Sequence, residues 1–384
     1  MRSATLLALL PALASAAPLE SPTFGEWKIA LNKLRSIFTD DKGIVDKPKL
    51  ASYIQHVQAK YTEESSLDKR ADIALDNGNF TVWTGDIEIG TPPQKFTALF
   101  DTGSFDFVVP AGSVDSFEGA VYDPKSSSSS KALNKDFTLN YGSGGVKGME
   151  YNDTVTIGGL TATGQTVLAA NSTDDSFFGQ MNALVGLSFG ALSTLGNSPI
   201  VQTLRDEGQL PNPVFGFKLN DTGSELSFGS LNEDLYTGEV TYLPVQGDKY
   251  WQVEFDKMTL WDKDVTPSNK DAIIDSGTSL ILADEATVEA FYGNVYGSQK
   301  DETTGLWEVM CYNIPQVNVT LGGMNVIIPE DVFTLGQVAE HSMYCLGGIQ
   351  ATSLSSWVFG DVFMRNVYTA FDAAKKQVGF AKLA

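Results

Sequence analysis

Three Asp-Thr/Ser-Gly-Ser/Thr tetrads are the residues of this sequence that could do carboxylate chemistry. They begin at Asp101 in LFDTGSF, at Asp221 in LNDTGSE and at Asp275 in IIDSGTS. A reactive carboxylate on a tight turn needs rigid support from a buried strand and from a second apolar element nearby. Asp101 and Asp275 each follow three apolar residues, whereas Asp221 lies inside an alternating pattern that is typical of a surface hairpin turn. We therefore expect chemistry at Asp101 and Asp275 and a turn at Asp221.

The two tetrads that follow apolar runs share a second feature, an apolar-apolar-Gly run at the same distance along the chain. Gly186 ends a Leu-Val-Gly run 85 residues after Asp101, and Gly360 ends a Val-Phe-Gly run 85 residues after Asp275. At the same distance beyond Asp221 the sequence reads TTGLWE. The repeat predicts two similar lobes, each with one Asp turn that is braced by one hydrophobic-Gly strand.

Two lobes that face each other would bring these two carboxylates together across a cleft. Carboxylates about 3 Å apart cannot both ionise, so such a pair holds one proton and titrates in two steps. The ionised member takes a proton from a shared water as that water attacks a carbonyl, while the protonated member polarises the carbonyl and an acid later serves the leaving amine. This chemistry needs neither a metal nor a covalent nucleophile.

Other chemistries and partners find less support in the sequence. His56 and His341 are the only histidines. We expect neither an HExxH nor a GxSxG signature, and therefore no metal, no cofactor and no serine nucleophile. The 47 acidic and 26 basic residues give a formal charge of −21, which argues against a nucleic-acid partner. Glycoside hydrolysis would need an acid and a base about 5 to 10 Å apart and sugar-stacking aromatics, and twin turns give no reason to expect them.

Residues 1–17 are typical of a secretory signal peptide: Arg2 supplies the positive end, TLLALLPALA is apolar, and small residues precede the cleavage site. No later segment has the roughly 18 apolar residues that a transmembrane helix needs. We expect a secreted, extracellular protein with no membrane partner, and a vacuolar lumen is the alternative location. Five Asn-x-Ser/Thr sequons are candidate glycosylation sites on this route, at Asn79, Asn152, Asn171, Asn220 and Asn318.

Cys311 and Cys345 are the two cysteines of the chain. In an oxidising compartment they most simply pair, and the closed loop would stabilise the fold by roughly 4 kcal/mol in the chain-entropy view. Two free buried thiols are the alternative.

The pattern of the chain changes near residue 70. Before it, apolar residues recur at spacings of three and four, which predicts helices; they are Trp27, Leu31, Leu34, Phe38, Leu50, Tyr53, Ile54, Val57 and Tyr61. From about residue 80 the chain alternates in short runs between turn residues, an all-β pattern. The dibasic pair Lys69-Arg70 lies between these regions, where a secreted precursor could be cut.

The charges of the two regions also differ. Residues 18–70 carry 8 acidic and 9 basic residues, and residues 71–384 carry 39 and 16. A cationic helical leader beside an anionic β body is typical of a removable inhibitor or folding aid, and a linker with helices is the alternative.

On these residues the chain resembles the pepsin-like aspartic protease family, in its fungal secreted aspergillopepsin-like and endothiapepsin-like branch. The resemblance covers nearly all of 71–384, and its motifs are IGTPPQKFTALFDTGS at 89–104, NYGSG at 140–144, IIDSGTSLI at 273–281, WVFGDVFMRNVYTAFD at 357–372 and VGFA at 378–381. Coupled titration of two carboxylates is the known behaviour of this family, so the chemistry above agrees with that precedent and does not predict it independently.

The resemblance implies an all-β, bilobal fold with two β-rich lobes around a substrate cleft and a mainly helical N-terminal prosegment. The implied divisions are a signal peptide at 1–17, an activation prosegment at 18–70, an N-terminal lobe with the flap at 71–245 and a C-terminal lobe at 246–384. It implies a secreted aspartic endopeptidase, made as a zymogen and active at acidic pH, with Asp101 and Asp275 as the catalytic pair. Its implied partners are polypeptide substrates, its own prosegment as an intramolecular inhibitor and pepstatin-type inhibitors, and we expect a monomer.

The resemblance also implies roles for the residues beside the two aspartates. Thr102 and Ser276 would form hydrogen bonds between the lobes beneath the pair, and Ser104 and Thr278 would bond the outer carboxylate oxygens. The glycines of the two tetrads, Gly103 and Gly277, would leave room for a peptide backbone to approach.

Other implied roles concern the flap, the leader and the cysteines. Tyr141, Gly142 and Ser143 match the tip of a mobile hairpin that closes over substrate. Lys60-Tyr61 resembles the pair with which the prosegments of this family block the cleft, the ammonium lying between the carboxylates. Lys69-Arg70 would be the processing site, and Cys311 and Cys345 match the disulfide of the C-terminal lobe.

The sequence departs from the family pattern near the substrate. Val108 stands where many members have a tryptophan that hydrogen-bonds the flap tyrosine, and Ser143 stands where some fungal relatives have an aspartate that accepts a basic P1 side chain. We therefore expect large apolar P1 and P1′ residues to be preferred. A catalytically silent family member that binds peptides or glycans is the rival interpretation, but such members usually lose an aspartate or disturb its tetrad, and both tetrads are whole here.

Overall fold

The structure is a computed structural model that describes residues 27–33, 38–62, 83–112, 119–141, 144–173, 182–193 and 195–384. The predicted signal peptide, the Lys69-Arg70 pair and Asn79 lie outside the described residues. The strands are β1 (Lys28–Lys33), β2 (Trp83–Ile89), β3 (Gln94–Asp101), β4 (Phe107–Pro110), β5 (Lys131–Tyr141), β6 (Gly144–Ile157), β7 (Leu160–Thr173), β8 (Ala183–Gly186), β9 (Val214–Lys218), β10 (Ser224–Phe228), β11 (Tyr236–Pro244), β12 (Gln252–Glu254), β13 (Lys257–Leu260), β14 (Lys263–Asp264), β15 (Asp271–Ile274), β16 (Ile281–Asp284), β17 (Gln299–Lys300), β18 (Trp307–Met310), β19 (Val317–Leu321), β20 (Met324–Ile328), β21 (Thr334–Gln337), β22 (Tyr344–Gly347), β23 (Ile349–Thr352), β24 (Trp357–Phe359), β25 (Tyr368–Asp372) and β26 (Gln377–Leu383). The α-helices are α1 (Lys47–Tyr61), α2 (Ile200–Asp206), α3 (Glu285–Tyr292), α4 (Glu330–Phe333) and α5 (Asp361–Met364).

The described residues form a mostly β protein with two β-rich halves, which agrees with the predicted fold class. A 13-stranded sheet has the order β11-β26-β25-β9-β10-β1-β2-β3-β8-β4-β7-β6-β5. Three smaller sheets, β12-β15-β24-β16-β23, β14-β13-β19-β20 and β17-β18-β22-β21, belong to the second half. The last two strands return to pair with β9 and β11, so the end of the chain joins the middle of the sequence in the large sheet.

The predicted repeat of an Asp strand beside a hydrophobic-Gly strand is present in both halves. β3 runs parallel to β8, with Phe100 opposite Val185 and Asp101 opposite Gly186. β15 runs parallel to β24, with Ile274 opposite Phe359. These four strands are buried where they approach the turns. A strand that is buried on both faces needs a continuous apolar run, and such runs precede the two aspartates.

The leader is not helical throughout, and the helical prediction for its first part is wrong. Lys28–Lys33 is the strand β1, which pairs antiparallel with β10 through four residues and with β2 through two. Only Ile29 and Leu31 are deeply buried in it. Their spacing of two fits a half-buried strand, and pairing on both sides decides between this and the helical spacing of Trp27 and Leu31.

The helix predicted for the second part of the leader is α1. The Asp46 side chain caps it by accepting a hydrogen bond from the Lys49 backbone N–H at 3.1 Å. Its buried residues keep the predicted spacing of three and four; they are Leu50, Tyr53, Ile54, His56, Val57 and Tyr61. This face packs on apolar residues of the second half, including Leu282, Leu346 and Val358. Burial of such side chains typically contributes about 1.5 to 3 kcal/mol each, so α1 is held by packing on the body.

None of the described helices has the length and apolar character needed to cross a lipid bilayer.

Candidate active site

Each of the two buried aspartates lies on a turn that is closely packed against a neighbouring strand. Asp101 ends β3, and a side chain at Gly186 on the bracing strand would collide with the backbone of Phe105. The Asp275 backbone N–H donates to Phe359 O at 3.1 Å, and a side chain at Gly360 would collide with the backbone of the Asp275 turn. Asp101 is 5% exposed and Asp275 is 0% exposed, so both carboxylates are held out of bulk water.

Reciprocal hydrogen bonds join the two turns. The Thr102 N–H donates to Ser276 Oγ at 3.0 Å, and the Ser276 N–H donates to Thr102 Oγ1 at 2.9 Å. Each hydroxyl then donates to a carbonyl of the opposite Asp strand, Thr102 to Ile274 O at 2.9 Å and Ser276 to Phe100 O at 2.7 Å. The two halves therefore fix the position of one carboxylate relative to the other.

The glycines of the tetrads bring each turn close to the opposite carboxylate. Gly103 N–H donates to Asp101 Oδ1 at 2.8 Å, and Gly277 N–H donates to Asp275 Oδ1 at 2.8 Å. A methyl group at Gly103 would lie 2.6 Å from the Asp275 carboxyl carbon, and one at Gly277 would overlap the Asp101 carboxyl group. Only glycine leaves room for the two carboxylates to lie this close.

The two outer hydroxyls do not behave alike. Thr278 Oγ1 donates a short hydrogen bond to Asp275 Oδ2, as the resemblance implied. The buried Ser104 side chain makes no well-aligned hydrogen bond, but it helps to lower the pKa of Asp101, so its contact with that carboxyl is weaker than the contact of Thr278 with Asp275. Asp101 has other partners as well: the Lys60 ammonium contacts both of its carboxylate oxygens, and the Gly103 N–H donates to Oδ1.

The leader reaches the pair through the last two residues of α1. Lys60 Nζ lies 2.9 Å from Asp101 Oδ1, 3.1 Å from Asp101 Oδ2 and 3.0 Å from Asp275 Oδ2. The Tyr61 hydroxyl donates to Asp275 Oδ2 at 2.7 Å. One ammonium thus bridges both carboxylates, and the Tyr61 phenol bonds one of them.

The electrostatics of the pair follow from burial and from this ammonium. Burial raises the pKa of Asp101 to about 6, although the Lys60 charge opposes the shift and the nearby Asp275 adds to it. Burial acts in the same direction on Asp275, but the Lys60 charge and hydrogen bonds outweigh it and hold its pKa well below the ordinary 3.8. Burial lowers the pKa of Lys60, but the two carboxylates more than compensate and raise it above its ordinary value, so the ammonium stays charged.

Tyr53 of the leader makes a further contact near the pair, which the sequence did not predict. The Tyr53 hydroxyl accepts a hydrogen bond from the Ser279 backbone N–H at 2.8 Å, just beyond the Asp275 tetrad. Burial raises the pKa of Tyr53 to about 12. The helical spacing that puts Tyr53 on the same face as Tyr61 was the available signal. Beside Tyr61 a cavity of about 510 Å³ remains, lined in part by Tyr250, Ile273 and Leu354.

The predicted flap is described in part. Tyr141 ends β5 and Gly144 begins β6, and these strands pair as an antiparallel hairpin. Gly142 and Ser143 lie outside the described residues. Val108 is fully buried on β4, in register with Leu168 and Leu184.

Asp221, the third tetrad, is a surface turn. It connects the antiparallel strands β9 and β10, and its carboxylate pairs with Lys33 at 2.8 Å and with Arg365 at 2.7 Å. Its side chain is 66% exposed. These ion pairs hold the turn and have no contact with Asp101 or Asp275.

The expectation that the chain contains no GxSxG signature is wrong. GLSFG at 186–190 matches the Gly-x-Ser-x-Gly spacing of nucleophilic serines. Ser188 is 4% exposed, and its hydroxyl donates to the backbone carbonyl of Lys249 at 2.7 Å. A backbone carbonyl is not a general base, so this hydrogen bond does not activate the Ser188 hydroxyl as a nucleophile.

The predicted disulfide between Cys311 and Cys345 is confirmed and closes a loop with a sequence separation of 34. Among the candidate sequons, Asn171 and Asn220 are exposed, whereas the Asn152 and Asn318 side chains hydrogen-bond to Thr166 and Thr259. The described residues contain no group of His, Cys, Asp or Glu side chains arranged to hold a metal ion.

Comparison with known proteins shows similarity to aspartic proteases over most of the chain. A family model described as eukaryotic aspartyl protease matches residues 82–383. An aspartic protease of Phaffia rhodozyma is 35% identical over 345 residues, which cover 88% of this chain and 85% of that protein. Vacuolar protease A of Aspergillus fumigatus is 33% identical and gastricsin of Callithrix jacchus is 33% identical, with 85% and 78% of this chain covered and 86% and 81% of those proteins. These similarities are to the wider family, and the narrower aspergillopepsin-like branch stays a prediction.

Proposed function

This chain belongs to the eukaryotic aspartyl protease family, and from that membership we propose that it is a secreted aspartic endopeptidase made as a zymogen. In this proposal Asp101 and Asp275 are the catalytic pair, and they activate one water for attack on a peptide carbonyl. The observation that carries it is the pair of Asp turns, joined by reciprocal hydrogen bonds and touching a common ammonium within 3.1 Å.

The geometry supports this chemistry once the Lys60 ammonium is gone. The carboxylates are close and buried, so without the cation they cannot both remain ionised, and they share one proton. The ionised member accepts a proton from the water as it attacks, and the protonated member donates a hydrogen bond to the substrate carbonyl. Thr102 and Ser276 act as positioning residues, because they fix the distance between the two turns. The buried Ser104 side chain lies where it can bond the Asp101 carboxyl.

The zymogen part of the proposal assigns residues 1–17 to a signal peptide and 18–70 to a prosegment that is cut near Lys69-Arg70. Residues 71–245 and 246–384 are then the N-terminal and C-terminal lobes. Lys60 and Tyr61 support an inhibitory role for the prosegment, because a substrate carbonyl and its water cannot enter while the ammonium and the phenol occupy the pair. The buried face of α1 supports the same role, because it covers apolar residues of the C-terminal half beside Asp275.

For substrates we propose polypeptides with large apolar P1 and P1′ residues. The cavity beside Tyr61 supports this only in part: Tyr250, Ile273 and Leu354 give it apolar and aromatic surface, and the rest of its lining is mostly polar. The hairpin of β5 and β6 would close over the substrate with Tyr141, Gly142 and Ser143 at its tip. Export to the extracellular space, with glycans at some of the sequons, completes the proposal.

The test is acid hydrolysis by the activated protein. We expect it to cleave unfolded protein at about pH 3 to 5, with N-terminal sequence beginning at or near Ala71, and a pepstatin-type inhibitor to abolish the cleavage. A protein that binds the inhibitor stoichiometrically but cleaves nothing would be a silent family member. Active enzyme that retains residues 18–70 would contradict the prosegment assignment.

A further inference from the structure

The first residue of α1 contacts a pair of carboxylates far along the chain in the C-terminal half. Lys47 Nζ lies 2.6 Å from Asp301 Oδ2 and 2.9 Å from Glu308 Oε1. The Glu308 side chain is 2% exposed and that of Asp301 is 19% exposed. The second Glu308 oxygen accepts from the Gln299 side-chain amide at 2.8 Å. This is therefore a built site in which a cation fills the space between two fixed oxygens.

Both carboxylates owe their positions to the body and not to the leader. Asp301 Oδ1 accepts from the Thr304 N–H and from the Thr304 hydroxyl, each at 2.7 Å. Glu308 lies on β18, which pairs with β22, and Gln299 on β17 holds its other oxygen. Hydrogen bonding to Lys47, followed by that to Thr304, holds the pKa of Asp301 well below its ordinary value, so it is ionised in this structure. Removal of the leader takes away Lys47 and leaves both acceptors in place.

With the leader in place the Glu308 side chain is nearly inaccessible to solvent, and the contact with Lys47 compensates the desolvation of its charge. In the leader-free protein Glu308 would retain only the neutral amide of Gln299 among the partners that the described residues give its side chain. A cationic group that arrives in the same place would regain the interactions that Lys47 makes here.

The surface next to this pair binds a segment of the leader, residues 38–50, in the present structure. The Val45 N–H donates to Gln337 O at 2.8 Å, and Ile44 forms a parallel bridge with the same residue. Phe38, Val45 and Leu50 bury themselves in the apolar cluster that contains Leu306 and Leu346. A strand edge, an apolar surface and a cation site therefore lie side by side, and such features can bind an extended polypeptide.

The distance from the catalytic pair fixes which part of a substrate could reach the site. Lys47 and Lys60 are separated by 13 residues of one helix, which at 1.5 Å per residue is about 20 Å. An extended chain covers that distance in about six residues.

We propose that Asp301 and Glu308 form a cation subsite of the activated enzyme, which binds a Lys or Arg side chain of the polypeptide substrate about six residues from the scissile bond. The inference rests on the proposed function, since it requires an active peptidase from which the leader has been removed. It adds a preference for a distant basic residue to the apolar preference beside the scissile bond.

The experiment is a lysine walk. One cleavable peptide with neutral flanks is made in versions that place a single lysine four to eight residues from the scissile bond, on either side, together with glutamine controls. The ratio kcat/KM is measured at about pH 5, where ordinary carboxylates are ionised, for the wild type and for E308Q, D301N and E254Q. Glu254 pairs with Lys270 at 3.5 Å and is 59% exposed, so E254Q makes the same charge change in the same half away from the site. Inhibitor titration gives the concentration of intact active sites in each variant.

We expect the wild type to prefer one lysine position near six by about five- to tenfold over glutamine, a size typical of a charge-assisted contact that is partly hydrated. E308Q and D301N should lose this preference and keep the rate on the glutamine peptide, and E254Q should keep both. A flat walk in the wild type, or a preference that survives in E308Q and D301N, would overturn the inference while leaving the protease assignment intact. Absence of cleavage of every peptide would instead count against the proposed function.

If a variant yields too little active enzyme for kinetics, a binding measurement on the activated wild type tests the same inference. A labelled peptide of residues 38–50 is too short to reach the catalytic pair, and it should bind the activated wild type more tightly than its K47Q version. Equal binding of both peptides would overturn the inference, as would calcium ions that bind the Asp301 and Glu308 pair while no lysine peptide does.

Discussion

Thr102 and Ser276 hold each other across the two halves through two hydrogen bonds of 3.0 and 2.9 Å, each from a backbone N–H to the opposite hydroxyl. Each hydroxyl also donates to the strand that carries the opposite aspartate. The two catalytic candidates are therefore positioned by one symmetric arrangement of four hydrogen bonds, and their separation depends on it.

The first prediction concerns Thr102. In T102V the Ser276 N–H and Ile274 O lose their partner while buried, which typically costs about 1 to 3 kcal/mol for each group left unsatisfied. We expect a clear loss of stability in urea unfolding and a fall in kcat that exceeds the change in KM. S276T keeps the hydroxyl and serves as the control, with small effects on both. Wild-type kcat in T102V would show that the cross-link does not position the pair.

The second prediction concerns Lys60. K60M leaves two buried carboxylates without their cation, and removal of one partner from a buried ion pair typically costs about 3 to 5 kcal/mol. We expect the uncut variant to bind a pepstatin-type inhibitor under conditions where the uncut wild type does not. K42M is the matched control, because the Lys42 pair with Glu340 is exposed on both sides and such pairs contribute about 0 to 1 kcal/mol. If uncut K60M binds no more inhibitor than the wild type, Lys60 is not the inhibitory residue.

The third prediction concerns acid. Asp275 and Asp301 have pKa values below the ordinary 3.8, so the stability they contribute is present above that pH and is lost as pH falls below it. Asp101, with a pKa raised to about 6, has the opposite sign: its ionisation costs stability as pH rises through 6. At pH values below about 4 we expect the Tm of the uncut chain to decrease. The Tm is measured by thermal melts, followed by tryptophan fluorescence, directly after a rapid pH jump. D301N should be less stable than the wild type near pH 5 and should lose less on further acidification, and a parallel course for both proteins would contradict the assignment.

The fourth prediction concerns the disulfide. The bond between Cys311 and Cys345 spans 34 residues, and in the chain-entropy view a loop of this length stabilises by roughly 4 kcal/mol. The double variant C311S/C345S should show a loss of that order in denaturant unfolding. Reduction of the wild type should give the same loss, and an unchanged midpoint would mean that the loop is equally restricted without the bond.

Much of the site could be predicted because its determinants are local. The tetrads, the apolar strands before Asp101 and Asp275, and the hydrophobic-Gly runs lie in short segments whose burial is visible in the sequence. The turn at Asp221 was equally readable, since its flanking residues alternate. Only the structure shows the two cations that pair with it at the surface.

What could not be predicted depends on distant partners. The residues of β1 fit a helical and a strand period equally well over so short a length, and only β10 and β2, far along the chain, decide between them. The Lys47 pair with Glu308 joins residues 261 positions apart, for which a single sequence carries no signal.

The most direct test of the central claim is hydrolysis of unfolded protein by D101N, D275N and D221N under the same acidic conditions. Each variant replaces one tetrad aspartate by its neutral isostere, and the amount of folded protein is matched by circular dichroism. We expect D101N and D275N to lose activity by several orders of magnitude and D221N to retain nearly all of it, because only Asp101 and Asp275 share the ammonium of Lys60 and the cross-linked turns. Substantial hydrolysis by D101N or D275N, or its loss in D221N, would contradict the account.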